Sequence, residues 1–147
     1  MVLKDRDSRK VLSNHPLRIF LADRSSHVPA ARLRKVAIEL YADERIPAKR
    51  KISLVFCSNE AIHDLNRRYR HIDRPTDVLS FTFSDPDLLG EIYISLPRAR
   101  EQAEEYKVSL YDEILRLFVH GFFHLLGYDH ENVQDRAKMV KKERLYI

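Results

Sequence analysis

The residues best suited to chemistry are three histidines in the segment HGFFHLLGYDH, residues 120–130. His120 and His124 are four positions apart, so on a helix both rings lie on one face, about 6 Å apart along the axis. Their nitrogens can then converge on one ion at bond lengths of about 2.0–2.1 Å. Gly127 can end the helix in the left-handed conformation and turn the chain, which brings His130 toward the same face. The spacing therefore predicts a three-histidine metal site.

Three protein ligands favour a catalytic site over a structural one, because they leave a coordination position for water or substrate. Without an ion, three buried imidazoles would each need hydrogen-bond partners in an apolar segment, which is costly. The ligand set does not fix the metal, since Zn, Ni, Co and Cu all accept it. The spacing resembles the metzincin protease pattern H-E-x-x-H-x-x-G-x-x-H, in which the glutamate is the general base. Gly121 replaces that glutamate here, so a peptidase mechanism of that type lacks its base.

Apolar periodicity and capping residues predict the elements that must position these histidines. A long, largely buried helix should begin after Ser109 and carry His120 and His124 to its end at Gly127. We expect strands over residues 17–21, 52–56, 78–83 and 91–95. We also expect four further helices: one that ends near Pro47, one capped by Ser58 or Asn59, one opened by Ser95 and Pro97, and one from Asn132 through 145. This pattern predicts an α+β fold: a mixed four-stranded sheet packed with four to five helices, including a zincin-like metal helix.

Length and composition predict one domain over residues 1–147, with residues 1–16 loosely held. The single cysteine, Cys57, permits no intrachain disulfide and should be a small buried apolar residue, which favours a reducing compartment. Neither a signal peptide nor an apolar run of membrane-spanning length is visible, so we expect a cytoplasmic protein. The 26 Lys and Arg against 22 Asp and Glu give a net charge of +4, which permits an acidic partner such as RNA without requiring one.

Three segments, in order along residues 50–131, resemble the YbeY endoribonucleases, a family of bacterial rRNA maturation factors. HGFFHLLGYDH resembles the family signature HGxLHLxGYDH. LNRRYRHIDRPTDVLSFTF, residues 65–83, is similar to LNxxYRxxDxPTDVLSF, and LGEIYIS, residues 89–95, is similar to LGDIxIS. Two departures are conservative: Phe123 stands for leucine, and Gly90–Glu91 replaces a Gly-Asp pair.

The resemblance implies a small domain with a mixed sheet and one zinc-like divalent ion held by His120, His124 and His130. It implies a single-strand-specific, metal-dependent endoribonuclease that acts in 16S rRNA 3′-end maturation and ribosome quality control. The expected partners are single-stranded RNA, rRNA and the small ribosomal subunit, with no membrane or DNA partner. Arg70, the arginine of the Tyr-Arg pair, is implied to be catalytic.

The basic cluster around Arg70 fits such a substrate. Arg70 could hold the scissile phosphate in a bidentate contact or offset charge in the transition state. Arg67, Arg68 and Arg74 are candidates for RNA backbone contacts, although basic residues also favour the C-terminal end of a helix for its dipole alone. Tyr69 falls at a core-like helical position, so we expect packing, with stacking on an unpaired base as the alternative.

Several alternatives stay open at this stage. The general base is not identified: metal-bound hydroxide could suffice, or Glu91 or Asp129 could assist it. Asp129 could instead orient a ligand histidine. Ser80 either approaches the metal or points outward. The competing functions are another metal hydrolase, such as a peptidase, and a non-catalytic ribosome-assembly factor with a structural ion.

Overall fold

The computed structural model of the chain describes residues 14–129 and 131–147. These residues form four strands and five helices in the order β1 (Leu17–Leu21), α1 (Ala30–Asp43), β2 (Lys51–Cys57), α2 (Asn59–Arg70), β3 (Val78–Thr82), β4 (Leu88–Ser95), α3 (Leu96–Tyr106), α4 (Leu110–Leu125) and α5 (Val133–Glu143). The number and type of elements agree with the sequence prediction. Strand β4 begins at Leu88, three residues before its predicted start, because those residues pair with β2 and β3.

The sheet has the strand order β1-β2-β4-β3. Strands β1, β2 and β4 are parallel neighbours, whereas β3 runs antiparallel to β4 and forms one edge of the sheet. The predicted α+β class with a mixed four-stranded sheet is therefore confirmed. Because β3 and α4 are adjacent, the edge strand and the histidine-bearing helix share one side of the molecule.

The two faces of the sheet are covered unequally. Side chains alternate along each strand, so Ile19, Leu54 and Ile92 share one face in register, and all three are buried. That face packs against α1 and α4, which also meet each other through the rings of Tyr41 and Phe122, 6.1 Å apart. On the opposite face α2 contacts β3 and β4, and the side chains of several residues there remain partly exposed. The main hydrophobic core thus lies between the sheet and helix α4.

Local capping signals set the helix boundaries. The side chains of Ser58, Ser95, Ser109 and Asn132 each accept a hydrogen bond from a backbone N–H in the first turn of the following helix, as predicted. Past the end of α4, Gly127 has φ +93° and donates to the carbonyl of His124, while Tyr128 donates to that of Phe123. These two bonds form a Schellman motif, completed by contact between the Phe123 and Tyr128 rings. The histidine helix therefore ends where its glycine predicts.

A buried charged cluster joins α3 to α4 on the core side. Arg116 donates two hydrogen bonds of 2.7 Å to the carboxylate of Glu113, whose side chain has no solvent exposure. Gln102 of α3 donates a third hydrogen bond of 2.6 Å to the same carboxylate. The pairing raises the pKa of Arg116 above its usual value, so the guanidinium stays charged and Glu113 keeps its partner. This cluster holds α4 in place about one turn before His120.

Two further expectations concern the single cysteine and membrane-spanning helices. Cys57 is 4% exposed, and burial raises the pKa of its thiol to about 12, which confirms that it is an inert core residue. Within the part of the chain that the structure describes, no helix combines the length and apolar character needed to cross a bilayer.

Candidate active site

A cleft of about 930 Å³ follows the edge strand β3. Helix α4 contributes His120 and His124 to its wall, and helix α2 contributes Arg70 from the other side. The remaining wall includes β3 itself, the loop before it, and Asp129 after the end of α4. The cleft therefore brings together two predicted metal ligands and the predicted catalytic arginine.

His120 and His124 face each other across the cleft wall. Their Nε2 atoms are 3.1 Å apart, and their ring centroids are 4.6 Å apart. Two nitrogens bonded to one tetrahedral zinc ion at about 2.0–2.1 Å would be separated by about 3.3 Å. The observed separation is close to that value, so the pair fits a divalent ion without rearrangement of the helix. The prediction that the i, i+4 spacing makes these rings converge is confirmed.

A residue that the sequence did not single out fixes the orientation of His120. The carboxylate of Glu143, at the end of α5, lies 2.7 Å from Nδ1 of His120. When the carboxylate accepts the Nδ1 hydrogen, the proton is kept on that nitrogen and Nε2 presents its lone pair to the cleft. The two residues are 23 positions apart. Their contact depends on how α5 docks on α4, and no local pattern signals it.

The predicted third ligand, His130, lies outside the described residues. Over residues 14–129 and 131–147, no group of three histidine, cysteine or acidic side chains is arranged to hold a metal ion. The residues on either side of that position, Asp129 and Glu131, both line the cleft. The N–H of Glu131 donates a hydrogen bond of 2.9 Å to the Asp129 carboxylate. The structure places two of the three predicted ligands, His120 and His124, next to each other. The complete three-histidine site stays a prediction.

Close packing between α4 and β3 explains why residue 121 is glycine. A Cβ atom built on Gly121 would lie 2.9 Å from Cγ2 of Ile92 and 3.1 Å from Oγ of Ser80. The Ser80 hydroxyl donates a hydrogen bond of 3.0 Å to the Gly121 carbonyl, which also settles the orientation of Ser80. A glutamate side chain has no room here. Position 121 is therefore a contact between helix and strand and carries no proton-transferring group.

Arg70 reaches the cleft from α2 and is held by two contacts. Its Nη2 donates to the carbonyl oxygen of Ser80 at 2.5 Å, and its guanidinium carbon lies 5.0 Å from the ring centroid of Phe81. The cation–π contact and the hydrogen bond orient the planar fork along β3. The guanidinium has five N–H donors, so one hydrogen bond to Ser80 leaves most of them available to a phosphate.

The other three arginines are placed differently. Arg74 lines the cleft, and its carbonyl accepts a hydrogen bond of 2.9 Å from the buried side chain of Asn66, which ties the loop to α2. Arg67 and Arg68 point away from the cleft, where both pair with Asp64 at 2.8 Å and 3.1 Å. The predicted basic cluster thus divides into one cleft residue beside Arg70 and two residues on the outer surface of α2.

Two expectations about individual side chains are corrected by the fold. Tyr69 is 62% exposed and meets Phe81 in an edge-to-face contact, with centroids 5.5 Å apart, so the expected core packing is wrong. Glu91 alternates with Gly90 and Ile92, which face α4, so its side chain lies on the opposite face of the sheet from the histidines. There it accepts a hydrogen bond from Tyr93. Glu91 is therefore excluded as the base, whereas Asp129 is in the cleft.

The protein is an α+β domain with a mixed sheet and a histidine-lined cleft at its edge strand. Comparison with known proteins gives its family. The family model described as Endoribonuclease YbeY matches residues 21–147. The Endoribonuclease YbeY of Geobacillus thermodenitrificans is 39% identical over 143 residues, covering 86% of this chain and 92% of that protein. That of Shouchella clausii is 44% identical over 108 residues, covering 63% and 68%.

A solved structure agrees with these sequence relatives. The solution structure of TM1509 from Thermotoga maritima matches with a TM-score of 0.60 at 31% identity, covering 88% of this chain and 85% of that one. The chain belongs to the YbeY endoribonuclease family.

Proposed function

We propose that this protein is a metal-dependent, single-strand-specific endoribonuclease that matures the 3′ end of 16S rRNA and takes part in ribosome quality control. The observation that carries the proposal is a single cleft lined by Arg70 and by His120 and His124, whose Nε2 atoms converge. Family membership supports RNA as the substrate, since the similar relatives are named endoribonucleases.

The proposed ligands of the ion are His120, His124 and His130, with zinc the expected metal. When bound, a divalent ion supplies Lewis-acid chemistry for phosphodiester hydrolysis. The protein's own contribution is to orient the imidazoles, and Glu143 does this for His120 by accepting its Nδ1 hydrogen, which leaves Nε2 facing the cleft. Because protonated imidazole cannot act as a ligand, we expect metal binding to be lost in acid.

Arg70 and Arg74 are proposed to bind the RNA backbone at the scissile position. Arg70 is pre-oriented by Ser80 and Phe81, so little side-chain freedom is lost when its fork engages a phosphate. A fixed cationic fork beside the reacting phosphate also stabilises the charge that develops in the transition state. Asp129 is the carboxylate we assign to accept a proton from the attacking water or to orient a ligand, since it lies in the cleft directly after the Gly127 turn.

The two competing functions have less support. A metzincin-type peptidase needs a glutamate after the first histidine, and the contact of Gly121 with Ile92 and Ser80 leaves no space for one. A purely structural ion does not explain why the histidine pair lines an open cleft together with a pre-oriented arginine. Action on ribosomal RNA would place the protein in the cytoplasm, in agreement with its one buried, unreactive cysteine.

The test pairs metal content with cleavage. His124→Ala should lose bound metal and cleavage of an unpaired RNA together, whereas His27→Ala, a histidine in the β1–α1 loop, should keep both. Cells that rely on His124→Ala should accumulate 16S rRNA with unprocessed 3′ ends. Full cleavage by a metal-free His124→Ala protein would refute the proposal. Cleavage of peptides by metal-loaded wild type, with RNA left intact, would favour the peptidase instead.

A further inference from the structure

The cleft extends around the edge of the sheet and is not confined to the histidine side. Alternation along β3 directs Ser80 toward α4, where it bonds to Gly121, and directs Phe81 toward α2, where its ring meets Tyr69. Both Ser80 and Phe81 line the cleft. A polymer in the cleft therefore reaches the histidines on one face of β3 and the Phe81 side chain on the other.

Three aromatic rings form a row on that second face. Phe81 stands in the middle, with the ring of Tyr69 at 5.5 Å and that of Tyr93 at 5.8 Å, both in edge-to-face contact. The contact with Phe81 holds the outermost ring, that of Tyr69, on one side, and Tyr69 remains 62% exposed. An exposed ring with a fixed orientation is a surface on which a flat heterocycle can stack at little entropic cost.

The charges around this row come from the arginines of α2 and from the carboxylate of Glu91, which lies opposite Phe81 on β4 and accepts a hydrogen bond from Tyr93. Arg70 packs over Phe81 in the cleft, and Arg67 and Arg68 precede Tyr69 on the same helix, on its outer surface. Arg67 and Arg68 share the single carboxylate of Asp64, so this group keeps a net positive charge. Aromatic side chains next to cationic groups are the usual means by which proteins hold single-stranded RNA without reading its sequence.

We propose that Tyr69, supported by Phe81, is the binding site for one unpaired nucleobase next to the scissile phosphate. RNA would pass over the edge of β3 with its phosphate near Arg70 and the histidines and the neighbouring base on the Tyr69 ring. A base in a duplex is already stacked and cannot use this surface without being unpaired. The site would therefore give the enzyme its preference for single strands. This inference rests on the proposed nuclease function and assigns the residue that selects the substrate.

The test measures single-turnover cleavage of a single-stranded RNA with one defined cut site, as a function of enzyme concentration. Tyr69→Ala should raise the half-saturating concentration by about 5- to 150-fold, the range found when a stacking aromatic is removed. Tyr69→Phe keeps the ring and should behave as wild type. Tyr111→Ala is the matched control, an exposed tyrosine in the first turn of α4, about 14 Å along the helix from His120.

A set of RNAs with a single abasic nucleotide identifies the stacked base. At one position beside the cut, the missing base should raise the half-saturating concentration of wild type but should not raise that of Tyr69→Ala any further. The inference is overturned if Tyr69→Ala stays within twofold of wild type, or if every abasic RNA weakens both proteins equally. It is also overturned if Tyr69→Ala weakens binding to small ribosomal subunits while oligonucleotide values are unchanged, because Tyr69 would then contact a protein.

Equilibrium binding of fluorescein-labelled RNA separates the two proposals. Tyr69-dependent binding by a wild-type protein that does not cleave would refute the nuclease function and leave the base site standing. Cleavage by wild type with no dependence on Tyr69 would refute the base site alone.

Discussion

Replacing Glu143 tests how the histidine pair is prepared for metal. Its carboxylate lies 2.7 Å from Nδ1 of His120, and its side chain is only 12% exposed, so water can replace it poorly. Loss of such a partner weakens metal affinity by about 10- to 100-fold, equivalent to about 1.4–2.8 kcal/mol. For Glu143→Ala, we expect a loss of zinc affinity near the upper end of this range. For Glu143→Gln, we expect a loss near the lower end, because the amide oxygen still accepts the Nδ1 hydrogen but without a full charge.

The assay is a competition for zinc between the protein and a chromophoric chelator, with thermal unfolding of the metal-free proteins measured in parallel. Glu44→Gln is the matched control. Glu44, just after the end of α1, pairs with Lys142, the neighbour of Glu143, at 2.7 Å. This variant loosens the docking of α5 and leaves the carboxylate in place. Wild-type affinity in both Glu143 variants, or an equal loss in Glu44→Gln, would show that the carboxylate does not prepare the ligand.

The remaining predictions concern the arginines and the close helix contact. Arg70→Lys should lower the single-turnover cleavage rate by about 10²–10³-fold, because an ammonium lacks the planar fork; a loss under fivefold would remove Arg70 from the reaction. Gly121→Ala should lower the free energy of unfolding in urea by about 1 kcal/mol, since overpacking of about 1–3 kcal/mol exceeds a helix-propensity gain of about 1 kcal/mol; a stabilised variant would contradict the close contact with Ile92. Arg116→Met should cost about 3–5 kcal/mol in the same assay, because it strands the charge of the unexposed Glu113; a change below 1 kcal/mol would mean that Gln102 alone satisfies that carboxylate.

Local features of the fold could be predicted from the sequence because their causes are local. Ser95, Ser109 and Asn132 cap helices through bonds to N–H groups two or three residues away. Gly127 ends α4 because its φ of +93° costs glycine little. The convergence of His120 and His124 follows from helix geometry alone, whereas the role of His130 still rests on spacing and resemblance.

Features that depend on tertiary packing could not be predicted in this way. Tyr69 has the spacing of a core residue, yet α2 covers its face of the sheet only in part and the ring stays in solvent. Glu143 contacts His120 only because α5 folds back on α4. The strand register decides that Glu91 faces away from the histidines. Each of these outcomes depends on how two elements dock, and no single stretch of sequence carries that information.

The position of the cleft along β3 has a consequence for the shape of the molecules it can accept. Its floor includes the consecutive residues 78–82 of the outermost strand, a length of about 14 Å. A groove on the rim of a sheet can be approached sideways, so a long chain can settle into it at any internal point without its end being fed through a tunnel. The topology therefore suits cutting at an internal position of an RNA chain, because the antiparallel strand β3 lies at an edge of the sheet.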